Sequence, residues 1–271
     1  MKTFLVPVDF SDTSKNAAEY AAQLTNDITD AKIILYNAYD KIAFSTLRDT
    51  EQSSRKSIAE NELNDLKASL PTSDKATITT VAEEGSLVSN IEKFVAANSV
   101  DFIIMGITGS SRIKQVFMGT NTLNVMRHVN TPLMIVPPDA KFQGLKNVVF
   151  MSDFKDVANT TPLAPLKAIL DLFNPALHIV NVDAEHYVEL TPEYKKERAV
   201  LAEELQNYSP EFYFLRTYDL LDGIDLFVQT HNIDAIITVP HKHNFLSQLF
   251  VITHTKKLAY HSHLPIIAIH M

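Results

Sequence analysis

At 271 residues, with 46% hydrophobic and 21% charged side chains, the chain has room for two ordinary cores and is too apolar for disorder. Its 32 acidic against 24 basic residues, a net charge of −8, exclude the basic face that nucleic-acid binding needs, though not a local pocket for a nucleotide. The absence of cysteine excludes a disulfide scaffold, a thiolate zinc site and a cysteine nucleophile. No stretch approaches the roughly 18 apolar residues of a membrane span. The N-terminal apolar run, broken by Pro7 and ended by Asp9, is too short for a signal-peptide core. A soluble cytoplasmic protein is expected.

Short apolar runs predict strands near 3–8, 31–37, 76–82, 102–106 and 132–136. Helix-period stretches fall between them, near 13–25, 51–69, 86–98 and 120–129. Ala59, Leu63, Leu66 and Leu70 make one apolar stripe on the second helix. Ser86, just before Leu87 and Ile91, reads as the N-cap of the third. Pro137, Pro138 and Gly144 among polar residues mark a linker.

Beyond the linker the pattern repeats. Phe4–Ser11 matches Val148–Lys155, each an apolar run ending in an Asp-Phe step. Ile33–Asn37 matches Leu177–Asn181, 144 residues on. Asp101–Met105 matches Asp234–Thr238, and Pro132–Val136 matches Pro265–Ile269, both 133 residues on. The second copy has therefore lost 11 residues between its second and third strands. Its helices are expected near 158–172, 193–207, 220–231 and 254–262. Alternating strands and helices predict an α/β fold in two tandem domains, 1–138 and 145–271, each a five-stranded parallel sheet with helices on both faces.

Ligands of open parallel sheets bind at the carboxyl ends of the strands, so the residues just after each strand carry the chemistry. Gly106, Gly109 and Gly119, half of the six glycines, follow the fourth strand within 14 positions. Glycine lets backbone N–H groups approach an anion, and Gly119-Thr120 opens a helix whose N-terminus favours phosphate. Thr120 adds a hydroxyl, and Arg112 and Lys114 add charge. The competing reading is that these glycines only make turns. Asp9, after the first strand, is either a ligand or a turn former.

Gly-x2-Gly, nine residues, then Gly-Thr resembles the nucleotide loop of the universal stress protein family. The Val6–Ser11 strand, Asp101–Met105 before the loop, and Val125–His128 with Pro132–Val136 after it, carry the same resemblance. It covers the first copy throughout and the second more weakly. It implies a nucleotide-alpha-hydrolase-like sheet with ATP, accompanied by magnesium, at its carboxyl edge. Asp9 would accept from the nucleotide, and backbone at Pro7, Val8 and Ala38 would hold adenine. Met105 would line the pocket, and Gly106, Gly109, Gly119, Thr120 and Asn121 would take ribose and phosphates. Thr108, where the family often has a basic residue, departs from the pattern. Single-domain members often pair through their fifth strands. Leu133–Val136 and Ile266–Ile269 are therefore expected to pair within the chain as a pseudo-dimer, leaving further homodimerisation open.

In the second copy Val239, Lys242 and Ile252 replace the three glycines, and only Thr120 survives, as Thr253. That copy is expected to bind no nucleotide. Seven of the ten histidines fall between His231 and His270, and His241, His243 and His254 lie on this copy's carboxyl edge. They are candidate zinc ligands, or local hydrogen-bonding residues of a drifted loop. Tyr39–Thr50, the long stretch after the second strand, is either a flap over the ligand or an inert connection. The function expected is ATP binding at one site with a regulatory or stress-response role. A nucleotide-free interaction scaffold and a slow ATPase are the alternatives. No Walker, dinucleotide or nucleophile-elbow motif occurs.

Overall fold

Five apolar runs of the first half form parallel strands: β1 (Lys2–Pro7), β2 (Ala31–Tyr39), β3 (Ala76–Glu84), β4 (Phe102–Gly106) and β5 (Leu133–Val136). They lie in the order β3-β2-β1-β4-β5, which places β1 and β4 side by side at the centre. Every residue of β4 is buried. Successive side chains point to opposite faces, so both faces are covered. The cover is α1 (Asp12–Thr25), α2 (Arg48–Ser69), α3 (Leu87–Asn98) and α4 (Thr120–His128). Small residues at Ala17, Ala18, Ala21 and Ala22 are buried on α1, so its backbone can approach the sheet closely. Ala59, Leu63, Leu66 and Leu70 are all buried, as their spacing predicts.

The computed structural model describes residues 1–40, 48–71, 74–107, 119–181, 191–215, 220–240 and 264–271. The chain divides into two units, Met1–Phe142 and Gln143–Met271. The linker prolines belong to the first. The Asn16 side-chain amide on α1 donates to the carbonyls of Pro137 and Ala140, both at 3.1 Å, and Phe142 packs edge-on against Tyr20.

The second unit repeats the order. β6 (Asn147–Ser152), β7 (Ala176–Asn181), β8 (Glu211–Phe214), β9 (Ala235–Thr238) and β10 (Ile266–Ala268) lie as β8-β7-β6-β9-β10. Its helices are α5 (Val157–Thr160), α6 (Leu163–Phe173), α7 (Pro192–Glu204) and α8 (Leu220–Thr230). The single helix expected over 158–172 is thus two. Pro162 has no N–H to donate and its ring clashes with the preceding turn, so α5 stops at Thr160 and α6 starts at Leu163. The helix expected to 207 ends at Glu204 and finishes in a 3₁₀ turn, Gln206–Tyr208. The helix expected over 254–262 lies outside the described residues.

Matching hydrogen bonds mark the same places in both units. Asp101, before β4, accepts from the Thr3 N–H at 2.8 Å, and Asp234, before β9, accepts from the Asn147 N–H at 2.8 Å. At the other edge each first strand ends in an Asp-Phe step. Phe10 (φ 64°) and Phe154 (φ 51°) are left-handed, an uncommon conformation for an aromatic residue. Asp9 accepts from the Ser11 N–H and Asp153 from the Lys155 N–H, so each aspartate closes the turn around its phenylalanine.

Candidate functional site

In the first unit the carboxyl ends of β1, β2 and β4 and the first turn of α4 enclose a cleft of about 300 Å³. Pro7, Val8, Asp9, Ala38, Met105, Gly106, Gly119, Thr120 and Asn121 line it. These are all the site residues read from the sequence except Gly109, which lies outside the described residues with Arg112 and Lys114. Among the described residues four more line it: Ser14, Asn37, Leu87 and Thr122.

The floor is tied down by hydrogen bonds. Asp9 is exposed, and its Oδ1 accepts from both the N–H and the hydroxyl of Ser11, at 3.1 and 2.5 Å. Ser11 is the N-cap of α1 and also accepts from the Ser14 N–H. The Ser14 hydroxyl donates to the Ser11 carbonyl at 3.0 Å and accepts from the Asp9 N–H at 3.3 Å. The turn-forming role open for Asp9 is therefore realised, and this turn holds its carboxylate at the rim of the cleft.

The wall at β2 has an open backbone edge. Val8 continues the β1–β2 ladder by donating its N–H to the Tyr36 carbonyl at 2.8 Å. The next rung of a parallel ladder would run from the Ala38 N–H to the Val8 carbonyl. That carbonyl instead accepts from the Asn37 side-chain amide at 2.8 Å. Ala38 turns its N–H and C=O to the same side as Tyr36, toward the cleft it lines, with no partner for either among the described residues.

The opposite wall is the start of α4. The Gly119 N–H donates to the Ile107 carbonyl at 2.6 Å, and the buried Thr122 hydroxyl donates to the Gly106 carbonyl at 2.9 Å. These two bonds lock α4 onto the end of β4. Gly119 is the N-cap, with no side-chain acceptor spent on the helix, and the first turn carries no acidic residue. The early N–H groups of the helix are thus left for an anion, favoured there by the helix dipole. Asp9 is the one charged side chain lining the cleft among the described residues.

Gly106 serves packing. A Cβ there would lie 2.8 Å from the Thr13 carbonyl oxygen and 2.9 Å from its carbon. That is backbone, which cannot step aside. Gly106→Ala is expected to cost about 1–3 kcal/mol through overpacking of α1 against β4, read by denaturant unfolding. Ser86 stands at the N-cap of α3, as expected, but makes no side-chain capping bond. The Asn90 amide reaches back to the Glu84 carbonyl at 3.1 Å, and Glu83 accepts from the buried Tyr36 hydroxyl at 2.6 Å. Burial and the Glu83 carboxylate push the Tyr36 phenol upward, so it stays protonated.

Other sequence expectations lie outside the described residues. These are residues 41–47 of the Tyr39–Thr50 stretch, and His241, His243 and His254. Arg48–Thr50 already belong to α2, so that stretch is shorter as a connection than expected. Among the described residues no group of three or more His, Asp or Glu could hold a metal ion, and no helix is long and apolar enough to cross a membrane.

Asn37, Ser14, Leu87 and Thr122 escape a motif-based reading. Asn37 alone leaves a trace, a polar residue at the end of an apolar strand in both copies, with Asn181 as its counterpart. Ser14, Leu87 and Thr122 follow from neither spacing nor repetition.

The model of the universal stress protein family matches residues 1–137. No curated protein matches the chain. Among solved structures, a universal stress protein from Archaeoglobus fulgidus DSM 4304 is 15% identical with a TM-score of 0.63, the match covering 99% of this chain and 98% of that one. A Pseudomonas aeruginosa UCBPP-PA14 protein, provisionally described as a universal stress protein, is 12% identical with a TM-score of 0.56, over 100% and 93% of the two chains. At these identities the likeness is one of fold.

Proposed function

Because this chain belongs to the universal stress protein family, we propose that its first unit binds one adenine nucleotide, with ATP as the ligand, and acts as a regulatory or stress-response module. One observation carries the reading. The cleft at the sheet's carboxyl edge joins an unpaired backbone edge at Ala38 to the uncapped N-terminus of α4. The Ala38 N–H and C=O form a donor–acceptor pair that complements N1 and the exocyclic amine of adenine. Guanine presents the opposite pattern at that edge. Thr120 and the first N–H groups of α4 would take phosphate oxygens, magnesium would screen the remaining charge, and Asp9 would accept from a ribose hydroxyl.

No group placed to activate water lines the cleft among the described residues, where Asp9 already serves its turn. Hydrolysis is therefore expected to be slow at most, and the nucleotide would act by occupancy. The second unit keeps the Asp-Phe turn, but Val239 and Pro240 follow β9 where the first unit has Gly106 and Ile107. We place the single site in the first unit. Calorimetry with ATP is expected to give a stoichiometry near one per chain. A value near two would mean that the second unit binds as well. Mass spectrometry after acid release tests occupancy as purified: adenine nucleotide supports the reading, and an empty protein with no affinity for added ATP leaves the fold as an interaction scaffold.

A further inference from the structure

Asn37 is buried at the end of β2, where a polar side chain has no packing advantage, and it spends its amide on one backbone atom. We infer that Asn37 is a positioning residue for base recognition: by capping the Val8 carbonyl it stops the β1–β2 ladder one rung early and leaves the Ala38 backbone edge open to the cleft. The inference rests on the nucleotide reading for its functional consequence, though not for its geometry.

Three bonds define the device. Pro7 and Tyr36 are the last ladder partners, and the Val8 N–H still reaches the Tyr36 carbonyl at 2.8 Å. The strands are therefore within ladder distance where pairing ends, and nothing about their separation forces the stop. The Asn37 Nδ2 then occupies the Val8 carbonyl at 2.8 Å, the acceptor that Ala38 would otherwise use. On its other side β2 stays paired with β3 as far as Tyr39, whose carbonyl accepts from the Gly85 N–H at 2.9 Å. Ala38 is consequently held in extended geometry by one neighbour while its polar groups are withheld from the other. A donor–acceptor pair presented this way is preorganised, which limits the ordering cost of binding. In the second unit the corresponding contact, from the Asn181 amide to the Ser152 carbonyl, is looser at 3.4 Å, and there the ladder does include the Ser152–Asn181 pair. That counterpart supplies an internal control.

Removing the Asn37 amide uncovers the Val8 carbonyl, and the nearest replacement donor is the Ala38 N–H. The ladder then closes by one rung and the reading edge is lost, while the start of α4 is untouched. Asn37→Leu and Asn37→Ser are expected to weaken binding of ATP and of adenosine about tenfold or more, the scale of one or two lost hydrogen bonds. Affinity for inorganic tripolyphosphate should stay unchanged, and Asn181→Leu should leave all three affinities unchanged. Equal loss for tripolyphosphate, or undiminished adenosine binding, would overturn the role assigned to Asn37. A wild type with no affinity for adenine nucleotide would overturn the functional reading instead. Amide hydrogen exchange then decides the geometry independently. The Ala38 N–H should exchange readily in the nucleotide-free wild type and become protected in Asn37→Leu, and a protected Ala38 amide in the wild type would show the ladder already closed.

Discussion

Gly119→Val is expected to reduce ATP affinity more than 100-fold, about 2.7 kcal/mol or more, with little change in melting temperature. Gly119 sits at φ −61° and ψ 147°, extended geometry that valine adopts readily, so the backbone tolerates the substitution. The added branched side chain would stand at the mouth of α4, against the N–H groups proposed to hold phosphate. Gly106→Ala has the opposite profile, because its Cβ collides with the Thr13 backbone and strains the fold. Measured side by side, the pair separates a binding glycine from a packing glycine. Gly119→Val binding ATP within about threefold of wild type, by calorimetry, would remove the α4 N-terminus from the proposed site.

The contrast shows where sequence reasoning succeeds and where it stops. Apolar runs such as Phe102–Met105 are legible as strands because burial on both faces demands continuous hydrophobicity. The stripe from Ala59 to Leu70 is legible because helix period and burial coincide. The cleft lining follows from topology: whatever succeeds a strand in this sheet lies at its carboxyl edge. What cannot be read is which atom meets which. Gly106 and Gly119 look alike in the sequence, yet one is required by a helix lying 2.8 Å from the space its Cβ would fill. Asp9 reads as ligand or turn former, and its bonds to Ser11 build the turn, a local contact that composition cannot foretell. Pro162 breaks a helix although the apolar period runs through it, because a missing N–H outweighs periodicity. Asn37 works through a neighbour's carbonyl: its repetition as Asn181 marks the position in the sequence, but not the bond it makes.

The stability of the second unit should depend on pH through His178. This histidine lies on β7 with 8% of its surface exposed, and among the described residues neither ring nitrogen has a hydrogen-bond partner. Val149 is its ladder partner on β6. Glu211 and Tyr213 of β8 flank it, the Glu211 carboxylate 3.8 Å from Nδ1 and itself accepting from the Tyr213 hydroxyl. From α8 come Phe227 and, just beyond it, His231, which stack on each other at 4.0 Å and meet His178 at 6.0 and 5.7 Å. Burial lowers the His178 pKa below its ordinary value; Glu211 opposes this shift and His231 adds to it. The unfolded chain therefore takes up a proton near pH 6.5 that the folded unit refuses. Stability is complete above that pH and declines as pH falls through it, by at most about 1.4 kcal/mol per pH unit until the folded pKa is reached. Other groups titrate in the same range, so the quantity to measure is the difference between wild type and His178→Phe, which keeps a ring among Tyr213, Phe227 and His231. Between pH 7.5 and 5.5 the melting temperature of the second unit should fall more in wild type than in the variant. Parallel pH profiles would mean that solvent reaches the imidazole and that the aromatic cluster opens more readily than its packing implies.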